Sequence, residues 1–287
     1  MILQTLFFCK KSSNNVDDDS NIVFYLGADL SYVNEMEDCG AVYKNSDNQE
    51  TDVFDIFETA GANLIRVRLW HNPTWTNYSN LEDVKKTIRR AKDNNMSVLL
   101  DFHYSDTWAD PTKQEIPFAW EINLNNDSLL GDMMYDYTYS TLTTLDSLEL
   151  SPEIVQIGNE INPMILQKGN LQWPIDWDRN SLLLNKGIEA VRNFSDETQN
   201  NIEIMLHIAQ PENGIWWFDQ ASNNNVVDYD WIGLSYYPQW SQYNLSNLEP
   251  VLTNLRTTYN KKLMIVETAY PFTLQNIDSA NNILGSQ

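Results

Sequence analysis

Two short stretches end apolar runs on carboxylates. "IVQIGNEINP" climbs through Ile154, Val155 and Ile157 and stops at Gly158, Asn159 and Glu160. "KLMIVETAYP" repeats the pattern and stops at Glu267. An ionisable group at the edge of a buried strand needs a reason, because burying charge is costly. Two facing carboxyls are what glycoside cleavage requires: one protonates the leaving oxygen while the other attacks or stabilises the anomeric carbon. Far apart in the chain, the pair can meet only if the fold brings two strand ends together.

The chain alternates strands and helices with a regularity that supplies such a fold. The apolar periodicity predicts strands at 22–31, 63–70, 97–104, from 154, 202–209, 231–238 and 263–269. Helices are predicted at 51–62, with Thr51 as the cap, and at 81–95, 129–149, 178–194, 214–223 and 247–260. This rhythm means a parallel sheet covered by helices, either an open doubly wound sheet or an eight-fold barrel. The polar strand ends decide between them. Asp29 and Ser31, Arg66 and Arg68, His103, Asn159 and Glu160, His207, Tyr237 and Glu267 all fall at or near the C-terminal ends of their strands. In a barrel those ends converge on one face, whereas an open sheet gathers only the strands beside a switch point. No Gly-rich phosphate loop follows the first strand, so nucleotide binding is not indicated. The expected fold is a (β/α)8 TIM barrel over residues 22–287.

Composition limits the partners. The net charge of −22 argues against nucleic acid and anionic membrane surfaces, since both need clustered Lys and Arg. Ten Trp suit a flat-faced neutral ligand such as a sugar; solubility alone would also explain the charge. The two cysteines, Cys9 and Cys39, exclude a disulfide framework, and His71, His103 and His207 are too dispersed for a zinc motif. "MILQTLFFC" is too short to span a membrane, which takes about 20 apolar residues. Its junction with Cys9 and the acidic run after it resembles a bacterial lipoprotein cleavage site. The alternative is a disordered tail with an incidental Cys, and either way residues 1–21 stand outside the fold. The expected location is extracytoplasmic, secreted or lipid-anchored at a bacterial cell surface.

Five strings together, "IGNEI", "VET.YP", "DFHYSDTWADPTKQ", "G.N.IRVRLW" and "GLSYYP", resemble glycoside hydrolase family 53, the endo-β-1,4-galactanases of the clan of retaining (β/α)8 hydrolases. The likeness runs from about residue 24 to 272. It implies a retaining enzyme acting as a monomer on β-1,4-galactan, in pectic galactan or type I arabinogalactan, with two carboxyl groups about 5–5.5 Å apart. It implies Glu160 as general acid/base, Glu267 as nucleophile and Asn159 on the sugar 2-hydroxyl. Arg66 and Tyr237 would contact the nucleophile, although Arg66 as a structural barrel salt bridge would look the same in sequence. His103 and His207 would line the glycone site or else be satisfied core groups. Asp106, Trp108 and Asp110 would bind sugar from the third loop, where Trp108 is either a platform or an inward anchor. Trp70, Trp120 and Trp240 would extend the cleft or pack the core. Two other readings are a mannanase or cellulase of the same clan, and a non-catalytic glycan-binding protein on the same barrel. The family's eighth strand carries a Trp in a "W-E-P-A-W"-like stretch, and nothing like it follows Glu267, so the barrel is expected to be truncated after strand seven. No cofactor is implied, and calcium, bound between the last loops of some members, is expected only in that missing part.

Overall fold

The computed structural model describes residues 24–269 of the 287-residue chain. Residues 1–23, Cys9 among them, and residues 270–287 therefore lie outside the described residues, and with them the expectations of lipidation, truncation and calcium. Seven parallel strands, β1 (Gly27–Asp29), β2 (Leu64–Leu69), β3 (Ser97–Phe102), β4 (Ile154–Ile157), β5 (Glu203–Ala209), β6 (Trp231–Ser235) and β7 (Lys262–Glu267), pair in sequence order. They form a nearly closed barrel with β1 and β7 outermost.

Seven helices connect them: α1 (Val33–Asp38), α2 (Val53–Thr59), α3 (Leu81–Asp93), α4 (Asp127–Asp146), α5 (Trp177–Thr198), α6 (Pro211–Asn223) and α7 (Leu248–Tyr259). The periodicity missed the short α1, and a 3₁₀ helix at Phe118–Asn123 in the β3–α4 connection. The cap of α2 is Asp52, not Thr51: the Asp52 carboxylate accepts from Phe54 N–H at 2.8 Å, while the Thr51 hydroxyl donates to the Gln49 carbonyl. The first strand is shorter than its apolar run. The Asn63 side chain bonds Leu26 N–H and the Phe24 carbonyl, replacing ladder bonds there, and pairing with β2 begins only at Gly27.

Strand alternation sorts the residues into layers. Outward-facing Ile65, Val67 and Leu69, Val98, Leu100 and Phe102, Val155 and Ile157, and Ile204, Leu206 and Ile208 form the main core with the helices. Inward-facing Leu64, Leu99, Ile154 and Met205 form a small apolar layer toward the N-terminal ends. One step further along, the same strands place Arg66, Asp101, Gln156 and His207 inside the barrel. The apolar layer is thus capped by a polar one, immediately beneath the mouth.

Candidate active site

The polar layer is built around Arg66, which is 7% exposed. Its guanidinium reaches Asp29 at 2.9 Å, Asp101 at 2.8 Å, Glu267 at 2.9 Å and the Asn159 side-chain oxygen at 2.8 Å. Burial alone would favour the neutral form, but Asp101, Glu267 and Asp29 together hold its pKa above the usual arginine value. Arg66 thus contacts Glu267 and at the same time forms a salt bridge inside the barrel. Asp101 is fully buried, receives Arg66, His103 Nε2 at 3.0 Å and Gln156 Nε2 at 2.6 Å, and is held ionised. Its burial opposes ionisation, but Arg66 and His103 bring its pKa down to about 2.

Glu160 and Glu267 line one cavity of about 1030 Å³, together with Asp29, Arg66, Arg68, His103, Trp108, Asp110, Tyr237 and Trp240. Two local devices deliver the pair. Beyond β4 the chain turns sharply, with Gly158 at φ 83° and Glu160 itself at φ 45°, a left-handed conformation that costs a non-glycine residue energy. Gln114 fastens this turn by donating to the Asn159 carbonyl at 2.9 Å. On β7 a bulge lies between the partners of Leu234 and Ser235, so that Ser235 opposes Glu267 and Val266 is skipped. A bulge re-aims the side chains after it.

The two carboxyls sit in unlike surroundings. Glu267 is ion-paired with Arg66 and accepts from the Tyr237 hydroxyl at 3.2 Å. Glu160 has no such ion pair among the described residues. Burial, with the nearby charge of Glu267, pushes its pKa up to about 8, although the Ser235 hydroxyl donates to it at 2.6 Å and works the other way. Burial also keeps His207 neutral, its pKa well below the ordinary value. Ser235 spends its single hydrogen on Glu160, so it accepts from His207 Nε2 at 2.9 Å. That puts the imidazole proton on Nε2 and leaves Nδ1 to accept from Gln156 Nε2 at 3.1 Å and Glu160 N–H at 3.3 Å.

Other expected residues separate into cleft and support. Trp108 is 39% exposed and lies 4.1 Å over the Arg68 guanidinium, which also faces the rings of Tyr32 and Trp70. Trp108 is thus both a cleft surface and an anchored one. His103 lines the cavity, but its ring nitrogens are engaged by Asp101 and the Ala109 N–H. Asp110 lines it too and accepts from Thr112 N–H at 2.7 Å. His207 is fully buried beneath the mouth, supporting Glu160 and Ser235 rather than lining the wall. Asp106 is not among the cavity residues. Its carboxylate accepts from Asn72 N–H at 2.9 Å and Phe118 N–H at 2.8 Å and faces His71, so it organises loops. Trp70 and Trp120 are buried, and Trp240 is exposed at the rim. Asn159 donates to the Ala109 carbonyl at 2.8 Å. Sequence reasoning missed Asp101, Gln156 and Ser235. The signal for the first two was available, a polar residue inside an otherwise apolar strand.

Among the described residues no group of three His, Cys, Asp or Glu side chains could hold a metal ion, and no helix is long and apolar enough to cross a membrane.

A family model described as glycosyl hydrolase family 53 matches residues 25–287. An arabinogalactan endo-β-1,4-galactanase of Cellvibrio japonicus (strain Ueda107) is 55% identical over 269 residues, which are 93% of this chain and 71% of that protein. An endo-β-1,4-galactanase of Bacillus subtilis (strain 168) is 37% identical over 97% of this chain, which spans 63% of its length. Among solved structures, the GH53 catalytic domain of Ignisphaera aggregans superposes with a TM-score of 0.82 at 32% identity, over 95% of this chain and 75% of that one.

Proposed function

The chain belongs to glycosyl hydrolase family 53, and from that membership and the paired carboxylates we propose that it hydrolyses β-1,4-galactosidic bonds inside pectic galactan or type I arabinogalactan. The observation that carries this reading is the unlike treatment of Glu160 and Glu267 within one cavity. Titratable pairs whose environments differ divide into acid and nucleophile. Glu160, pushed up to about 8, holds a proton at neutral pH. Glu267, ion-paired with Arg66, attacks.

The proposed reaction is a double displacement with retention. The Glu267 carboxylate bonds to the anomeric carbon while the bond to the leaving oxygen breaks and Glu160 gives that oxygen its proton. A water then attacks the galactosyl ester of Glu267. Glu160 takes the proton from this water and Glu267 leaves as the carboxylate. Only the two carboxyl groups and water are needed. Retention calls for the two carboxyls to stand about 5–5.5 Å apart, and a crystal structure with bound product is the measurement of that distance. Asn159, beside Glu160, takes the 2-hydroxyl once substrate frees its amide, and Trp108 with Asp110 and Trp240 holds the flanking sugars. The enzyme works as a monomer outside the cytoplasm, where its polymeric substrate is, and Cys9 is the point of lipid attachment if it is anchored.

Reducing-sugar release on galactan, β-mannan and carboxymethylcellulose tests the substrate. Release from galactan at least a hundredfold above the other two is expected. Preference for mannan or cellulose would replace the galactanase reading with another glycanase, and tight galactan binding without turnover would reduce the chain to a binding protein.

A further inference from the structure

Trp173 and Trp216 are 54% and 48% exposed, with ring centroids 6.4 Å apart and planes at 38°. Two large apolar rings held together in solvent are unusual unless something covers them. The core does not need Trp216: its neighbour Trp217 is fully buried against Trp177 at 5.6 Å and supplies the inward contact of α6. Neither exposed ring lines the cavity described above.

Their position in the fold says what covers them. Trp173 lies on the connection from β4 to α5, the segment that carries Glu160, and Trp216 lies in the second turn of α6, which follows β5. Trp173 therefore belongs to a loop of the C-terminal face, on the side of Glu160, and Trp216, in contact with it, lies where α6 leaves that face. The pair is also tied to the cleft. Glu212, one turn before Trp216 on the same face of α6, accepts from the Ser241 hydroxyl at 2.9 Å and from Gln242 N–H at 3.0 Å. Those two residues follow Trp240, which lines the cavity and packs 5.3 Å from Tyr237, the donor to Glu267. From Gln210, another lining residue, to Trp216 the helix rises roughly 9 Å at about 1.5 Å per residue. A polymer reaches both places, whereas a single sugar does not.

We propose that Trp173 and Trp216 form a second sugar platform, which stacks a galactose unit of the leaving chain beyond the cavity of Glu160 and Glu267. This rests on the galactanase reading above. The platform takes a neutral β-linked hexose chain by its apolar ring faces, and it holds the polymer at a distance while the catalytic pair cleaves it.

The test compares two substrates that differ only on the leaving side. In an aryl β-galactobioside the leaving group is a phenol with no chain beyond it, whereas galactan continues across the platform. The double variant Trp173→Ala/Trp216→Ala should lose about tenfold in kcat/KM on galactan, mostly through KM. Its kcat/KM on the aryl galactobioside should stay within about twofold of the wild-type value. Each single substitution should give part of the loss on galactan. Unchanged galactan kinetics, or an equal loss on both substrates, would overturn the platform. Neither result would touch the galactanase reading, which the wild-type protein's own activity on galactan decides.

Discussion

At the scale of residues, the protonation of Glu160 is set by a contest between burial and one hydroxyl. Desolvation and the charge of Glu267 raise the Glu160 pKa, and the 2.6 Å hydrogen bond from Ser235 pulls it down. The general acid is active when protonated, so kcat/KM falls as pH rises through this pKa, and the alkaline limb reports it. Ser235→Ala removes the lowering contact and should move that limb upward by roughly one pH unit, since a hydrogen bond to a charged group is worth about 1.5 kcal/mol or more. A limb that stays in place or moves down would show that Ser235 does not hold Glu160. Glu160 and Glu267 were legible in the sequence because each ends an apolar run. Asp106 and His207 were harder. Their strand-end or loop positions suggested the cleft, but Asp106 is occupied by backbone N–H groups of Asn72, on the preceding loop, and of Phe118, and His207 lies beneath the wall, facts that depend on contacts distant in the chain. Ser235 gave no signal because a serine in an apolar strand is ordinary until the Glu267 bulge sets its neighbour.

At the scale of elements, the position of β4 depends on α5 packing closely over it. A Cβ on Gly187 would meet Met134 Cε at 2.8 Å, Ile157 Cγ2 at 3.1 Å and the Tyr104 hydroxyl at 3.3 Å. Gly187→Ala gains up to about 1 kcal/mol of helix propensity, which roughly offsets a shift of the flexible Met134 end. Gly187→Val adds branching against Ile157, two residues before Asn159, and should cost about 1–3 kcal/mol. Thermal unfolding of the two variants checks this: alanine should leave the midpoint near wild type and valine should lower it, whereas an equal fall would show that the helix backbone, not β4, is what the glycine protects. The order and type of the main strands and helices were readable because each carries its own period. The end of β1 was not, because the Asn63 side chain takes the bonds of Leu26 and Phe24. Nor was α1, whose six residues are too few for a period to emerge.

At the scale of the whole molecule, the net charge of −22 repels itself, and salt screens that repulsion within about 10 Å at 0.1 M. The melting midpoint should therefore rise by roughly 2–4 °C, equivalent to about 1 kcal/mol for a chain of this size, as NaCl goes from about 10 mM to about 0.3 M. Over the same range kcat/KM on galactan should change little, because a neutral polymer is not steered by charge. A midpoint that falls with salt would mean that pairs such as Arg90 with Glu37 and Asp52 outweigh the net repulsion. The central claim, however, is the division of labour between two glutamates brought from β4 and β7 to one mouth, and azide rescue measures it most directly. With an aryl galactoside whose leaving group departs unaided, Glu160→Ala should keep the first step. Azide should then restore turnover and give the β-galactosyl azide. Glu267→Ala lacks the nucleophile, so azide should attack from the opposite face and give the α product. The same anomer from both variants, or no response to azide in either, would contradict the roles assigned to Glu160 and Glu267.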